Sequence, residues 1–166
     1  MIKMYNEHKN LQSNNLIKSH DNDMGYDIRC PYEVMIPPCT HKIINSGLHV
    51  YIPPILGAFI KSRSGLAINH SIEVSNAGVI DSGFCESCII KVYNRSLNDP
   101  FLVNPGDRIA QMIFLLRPEA FFNQSFFSCL ETEFDQGKFF SIKEVSKEEF
   151  KKLELSRSGV GSTGLN

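Results

Sequence analysis

Asp81 sits between two strand-like runs, Ile72-Glu73-Val74 and Cys88-Ile89-Ile90-Lys91-Val92-Tyr93-Asn94. Asp81-Ser82-Gly83 is turn chemistry, because Asp and Ser bond their own backbone and Gly83 permits positive φ. A carboxylate at a strand end beside a glycine stays near solvent while the sheet fixes its direction; it either serves chemistry or only closes an Asx turn. A second stretch, Ser62-Arg63-Ser64-Gly65-Leu66-Ala67, surrounds one arginine with small residues. Exposed backbone N–H groups, a hydroxyl and a guanidinium hold phosphate oxygens, although short Ser/Gly turns with an Arg are common. In Tyr26-Asp27-Ile28-Arg29-Cys30 the alternation turns Asp27 away from the apolar side, as an edge-strand charge or a functional carboxylate. Arg108 and Gln111 interrupt the apolar run RIAQMIFLL; their opposite parity predicts different faces, with Arg108 paired inside the protein. The terminal SRSGVGSTGLN reads as either a loose tail or a phosphate-cradling loop.

Short strands have to position these groups. EVMIPP, KIINS, HVYIPP, GAFIK, IEV, CIIKVYN and RIAQMIFLL are punctuated by glycine, by the turn Asn104-Pro105-Gly106-Asp107 and by prolines at 37–38 and 53–54. That spacing predicts an all-β sandwich or barrel, with the prolines at strand exits. From Pro118 to about Val145 the chain is rich in Phe and reads as added strands or an insertion. Ser146 and Glu149 form a capping box, and Val145 and Phe150 a hydrophobic staple, opening a short surface helix to about Leu155 that serves as a spacer. No internal repeat is apparent.

At 166 residues the chain fits one domain, 1–166, able to bury a core without staples. A net charge of −1 with 21% charged and 42% hydrophobic residues argues against disorder and against a general nucleic-acid or membrane surface. An anionic ligand therefore needs a local basic pocket. No apolar run approaches the roughly 20 residues that span a bilayer, and the N-terminus lacks the apolar core of a secretory signal, so a cytoplasmic (or host-cytosolic) location is expected. Five cysteines fit free thiols better than a disulfide framework. Cys85-Glu-Ser-Cys88 suggests zinc or redox chemistry, but in a strand residues three apart face opposite ways and no second ligand pair follows.

Five segments taken in order, GYDIR, SRSGLA, AGVIDSGF, GDRIAQMI and the terminal GSTG, resemble the five motifs of the trimeric dUTPases. The resemblance runs from about Gly25 to Gly164. It implies a jelly-roll-like β-barrel with a short C-terminal helix and a flexible C-terminal arm, forming a homotrimer whose active sites draw motifs from three subunits. It implies hydrolysis of dUTP to dUMP and pyrophosphate with Mg²⁺, Asp81 activating the attacking water. Asp27 would reach the ion through water. Arg63, Ser64, Gly65 and Gln111 match phosphate contacts. The backbone from Asn76 through Gly78, Val79 and Ile80 would read uracil, and Phe84 would stack under the deoxyribose. Arg157, Gly161, Ser162 and Thr163, in segment 156–166, would close over the phosphates.

Several positions depart from the family. Phe84 stands where Tyr is usual, Met24 where Ala is, Ser62 where Pro is, and Glu86-Ser87 replaces the usual pair after the ring. In the tail Val160 stands for a stacking Phe, and Leu155 for an arginine that reappears two places late as Arg157. Two other readings stand beside the first. dCTP deaminase, or a bifunctional deaminase and dUTPase, shares fold and trimer and suits Phe84, but Lys91 occupies the place of its catalytic Glu. A dUTPase-like regulator would bind a protein partner through the Phe-rich segment.

Overall fold

The computed structural model describes residues 1–8, 16–75, 78–117 and 141–155. In chain order the elements are β1 (Ile2–Asn6), β2 (Tyr26–Arg29), β3 (Val34–Ile36), β4 (His41–Tyr51), β5 (Leu56–Lys61), α1 (Ser64–His70), β6 (Ile72–Val74), β7 (Val79–Ile80), β8 (Ser87–Asn94), β9 (Phe101–Val103), β10 (Arg108–Leu116), β11 (Ile142–Glu144) and α2 (Lys147–Leu155). One sheet has the order β11-β1-β4-β8-β6, a second β2-β10-β5-β7, and β3-β9 is a separate ribbon. β11 lies parallel on β1, with Ile2 opposite Ile142. The other described ladders are antiparallel.

Period-2 patterning drives this arrangement. β8 buries Cys88, Ile90, Val92 and Asn94 and exposes Ile89, and β5 buries Leu56, Ala58 and Ile60. These side chains meet Ile28, Ile36, Ile44, Leu48, Val103 and Met112, so both sheets and the ribbon share one core. Each buried aliphatic side chain contributes roughly 1.5–3 kcal/mol relative to an exposed one. The expected all-β, jelly-roll-like architecture is present.

Between β6 and β8 the chain does more than turn. Val74 pairs with Val92, yet the intervening segment crosses to the other sheet, where Ile80 of β7 pairs with Ala58 of β5. Gly78 (φ +71°) and Gly83 (φ +76°) flank the crossing in a conformation that L side chains rarely adopt.

Two features differ from the sequence reading. Ser64–His70 is a helix rather than a small-residue turn. Arg63 enters it in extended conformation, and Ser71 ends it at φ +55° with its N–H on the Leu66 carbonyl, a left-handed cap. Leu66 and Ala67 favour helix, but no residue of α1 is buried, so no apolar stripe announced it. The C-terminal helix is more than a spacer. Ser146 Oγ accepts from the Glu149 N–H at 3.2 Å, completing that half of the predicted capping box, and Phe150 is buried with Val145, Tyr5 and Cys85. The segment 118–140 and the arm 156–166 lie outside the described residues.

Candidate active site

The carboxylate of Asp27 is the centre of a polar cleft of about 400 Å³. It is only 8% exposed, not the solvated edge charge that its place in the strand suggests. Oδ1 pairs with Arg63 Nε at 3.1 Å, and Oδ2 accepts from Ser19 Oγ at 2.8 Å and from Arg108 at 3.4 Å. Arg108 also donates to Ser19 Oγ. Expensive burial of a charge is thus offset by two guanidinium partners and a hydroxyl.

Arg63, Ser64 and Gly65 come to this cleft at the start of α1, where the first N–H groups have no intrahelical partner. A Cβ added at Gly65 would meet nothing within 4 Å, so the backbone there is open to close approach by a ligand. Gln111 enters from β10, its Nε2 donating to the Ser62 carbonyl at 3.0 Å. Arg108 lines the same cleft, against the parity expectation. The β10–β2 register shifts between Arg108 and Ala110, Ile109 and Ala110 are both buried, and this irregularity returns Gln111 to the face of Arg108.

Asp81 is elsewhere. It is exposed and lines a second cleft of about 490 Å³ with Phe59, Val79, Ile80, Ser82, Leu115 and Arg117. The turn is fastened by the Phe84 N–H on the Asp81 carbonyl at 3.2 Å and by the Gly83 N–H on the Ile52 carbonyl at 2.8 Å. Arg117 donates to Ser82 Oγ at 3.1 Å and to the Pro54 carbonyl at 3.0 Å. Gly78 gives its carbonyl to the Ile60 N–H at 2.7 Å, while the two-residue β7 is the last described strand of its sheet, with Val79 59% exposed. Phe84 is half-buried against the core.

The structure therefore gathers Asp27, Arg63, Ser64, Gly65 and Gln111 in one place and Asp81, Val79 and Ile80 in another. Gln111 and Leu115, four residues apart on β10, line different clefts, about 13 Å apart at 3.3 Å per strand residue. Asn76, Arg157, Gly161, Ser162 and Thr163 lie outside the described residues. Sequence reasoning missed Ser19, His20 and Asp23, which line the Asp27 cleft, and Arg117, which braces the Asp81 turn. Nothing local marks them, since they arrive by tertiary contact. The Cys85–Cys88 pair stays structural: both are buried, in different apolar clusters, and burial pushes the Cys88 thiol up to about 12, leaving it neither ligand nor nucleophile.

These features define an all-β, jelly-roll-like protein with an arginine-lined cleft suited to a polyanion and a separate exposed carboxylate on a braced turn. A model of the dUTPase family matches residues 12–132. The deoxyuridine 5'-triphosphate nucleotidohydrolase of Clostridioides difficile is 33% identical over 169 residues, spanning 98% of this chain and 100% of that one. The enzyme of that name from Oryza sativa subsp. japonica is 38% identical over 115 residues, covering 67% of this chain and 66% of its own. The chain belongs to the dUTPase family. Among solved structures, the native EIAV dUTPase superposes with a TM-score of 0.60 at 24% identity, over 71% of this chain and 90% of that one. The dUTPase of Staphylococcus bacteriophage 80alpha does so with a TM-score of 0.62 at 19% identity, over 70% and 90%. At these identities the two share the fold.

Proposed function

We propose that this protein hydrolyses dUTP to dUMP and pyrophosphate, in the cytoplasm of a cell or of a viral host, with Asp81 as general base. The observation that carries the reading is the Asp27 cleft, where three stretches far apart in sequence converge on one polar cavity with the groups a phosphate site needs. Arg63 supplies a guanidinium, Ser64 a hydroxyl, Gly65 an unobstructed backbone and Gln111 an amide to the triphosphate oxygens. Asp81 takes a proton from water, whose oxygen bonds the α-phosphorus in line as the bond to the pyrophosphate oxygen breaks. The exposed edge of β7 offers backbone groups to uracil's rim, and the Phe84 ring occupies the space a ribose 2′-OH needs. Arg157, Gly161, Ser162 and Thr163 close over the phosphates.

Because Asp81 and the phosphate cleft lie apart in one chain, a complete site draws on more than one copy, which supports a homotrimer. Asp27 suits magnesium through water. Of the four lone-pair sites of a carboxylate, its described contacts occupy three, and the remaining one can accept a hydrogen bond from a metal-bound water. When bound beside the triphosphate oxygens, the ion offsets charge that develops on them.

Incubation of purified protein with each deoxynucleoside triphosphate and Mg²⁺, followed by product separation, tests the reading. Pyrophosphate and dUMP from dUTP are expected. Ammonia from dCTP would establish the deaminase instead, and no turnover with any nucleotide would leave only the regulator.

A further inference from the structure

Among the described contacts, two fasten the Asp81–Cys85 turn to β4 and the residue just beyond it. The first, Gly83 N–H to Ile52 carbonyl, is backbone to backbone. The second depends on a side chain: the Cys85 carbonyl lies 3.0 Å from Nδ1 of His49, which stands opposite Ser87 in the β4–β8 register. Nε2 of the same ring lies 3.0 Å from Oε1 of Glu7, and the side chain is 15% exposed. The rings of Tyr5 and Phe150 sit 5.7 Å away on either element packed against it, β1 and α2.

A carbonyl and an ionised carboxylate are both acceptors with no proton to give. The two contacts are both hydrogen bonds only when both ring nitrogens carry protons. A neutral ring keeps one of them. The bond to a carboxylate is charge-assisted and the stronger, so the proton stays on Nε2 and a lone pair turns toward the Cys85 carbonyl.

We infer that His49 is a positioning residue for sugar selection: as an imidazolium it holds the Cys85 carbonyl and thereby the neighbouring Phe84 ring, so that discrimination against ribose weakens as His49 loses its proton. This rests on the role given above to Phe84. The groups facing His49 are few. Glu7 is its acid partner, and Tyr5 and the Cys85 thiol flank it, the thiol donating to the Gly83 carbonyl at 3.3 Å. His8 lies beside Gly47 on the same side. From α2, Lys147 Nζ sits 6.0 Å over the Tyr5 ring, and Glu149 pairs with Lys3 at 3.2 Å. Histidine is the side chain that changes charge between about pH 5 and 8; His8 is the other histidine among these groups, and a pH dependence that arises from it persists in His49→Ala.

The test is the ratio of kcat/KM for dUTP to that for UTP between about pH 5.5 and 8.5. A ratio cancels ionisations common to both substrates, including those of Asp81 and the triphosphates. In the unaltered protein it should fall about fivefold as pH rises, the effect of one ordinary hydrogen bond. His49→Ala should give the low ratio at every pH. Glu7→Gln should keep the high ratio throughout, because its amide can donate to an unprotonated Nε2 and leave the Nδ1 proton on Cys85. Nitrogen NMR of the ring, assigned by its loss in His49→Ala, should show both nitrogens protonated at the acid end. The same pH dependence in either variant, or a ratio unchanged while the spectra show the ring losing its proton, overturns the inference. Absence of any dUTP hydrolysis refutes the proposed function on activity alone and takes the selection role with it. Intact hydrolysis without the pH effect overturns His49 only.

Discussion

Gly25→Ala puts the phosphate role proposed for the Asp27 cleft to a sharp test. Gly25 is buried, and a Cβ there would overlap Gln111 Oε1 and come within 3.0 Å of both Cβ and Cδ of that side chain. Gln111 has to swing away, breaking its 3.0 Å bond to the Ser62 carbonyl. The lost bond costs about 1 kcal/mol. Residual crowding of the two Cβ atoms adds strain, so total destabilisation should be about 2 kcal/mol, within the overpacking range. The functional cost is separate. A hydrogen bond to a charged group is worth about 1.5–3 kcal/mol, which corresponds to a loss in kcat/KM for dUTP of about 10- to 160-fold. Urea unfolding gives the first quantity and steady-state hydrolysis the second, each measured for Gly25→Ala, Gln111→Ala and the pair. The double variant should lose scarcely more kcat/KM than Gln111→Ala alone, since the contact is then already gone. Full additivity of the two activity losses, or a Gly25→Ala protein with unaltered kcat/KM, would refute the steric route through Gln111.

Asp81→Asn keeps the shape of the turn but removes the base, so turnover should fall about 10²–10⁴-fold with assembly intact by light scattering; near-normal turnover removes Asp81 from the mechanism. Phe84→Ala should raise UTP use relative to dUTP in competition assays, and unchanged selectivity would assign the exclusion to another group. Deleting residues 157–166 should lower turnover strongly while calorimetry still detects uracil nucleotide binding, and Val160→Phe should tighten dUTP; full activity in the deletion excludes a phosphate lid. Cys88 should make stability fall in alkali. Its native thiol holds its proton to about 12, whereas the unfolded thiol ionises near 9. Above that lower value the unfolded chain binds fewer protons, and unfolding free energy drops by up to about 1.4 kcal/mol per pH unit. Urea titrations at stepped pH should show a smaller slope in Cys88→Ala.

Strand alternation carried most of the architecture into view, because β5 and β8 each bury every second side chain and the turns between strands are rich in Gly and Pro. The start of α2 was equally legible, since capping by Ser146 and burial of Phe150 are decided within five residues. Helix α1 was not, having neither an apolar stripe nor a side-chain cap. A single bulge defeated the parity argument for Arg108 and Gln111, as an extra residue reverses every face beyond it. Burial of Asp27 depends on Arg108, 81 residues away, a pairing no local pattern reveals. Motif order suggested which residues share a purpose; only the sheet topology separates Asp81 from the Asp27 cleft within one chain.

The long strands β4, β5, β8 and β10 are all interior to their sheets, and the described margins are β11, β6, β2 and β7, of three, three, four and two residues. A margin so short offers too few free backbone groups to template a strand from another molecule. Lys143 and Glu144 add charge at one of them. Such margins disfavour strand addition between copies, which leads to open-ended stacking, whereas an assembly made through side-chain contacts between faces can close on itself as a ring of fixed number.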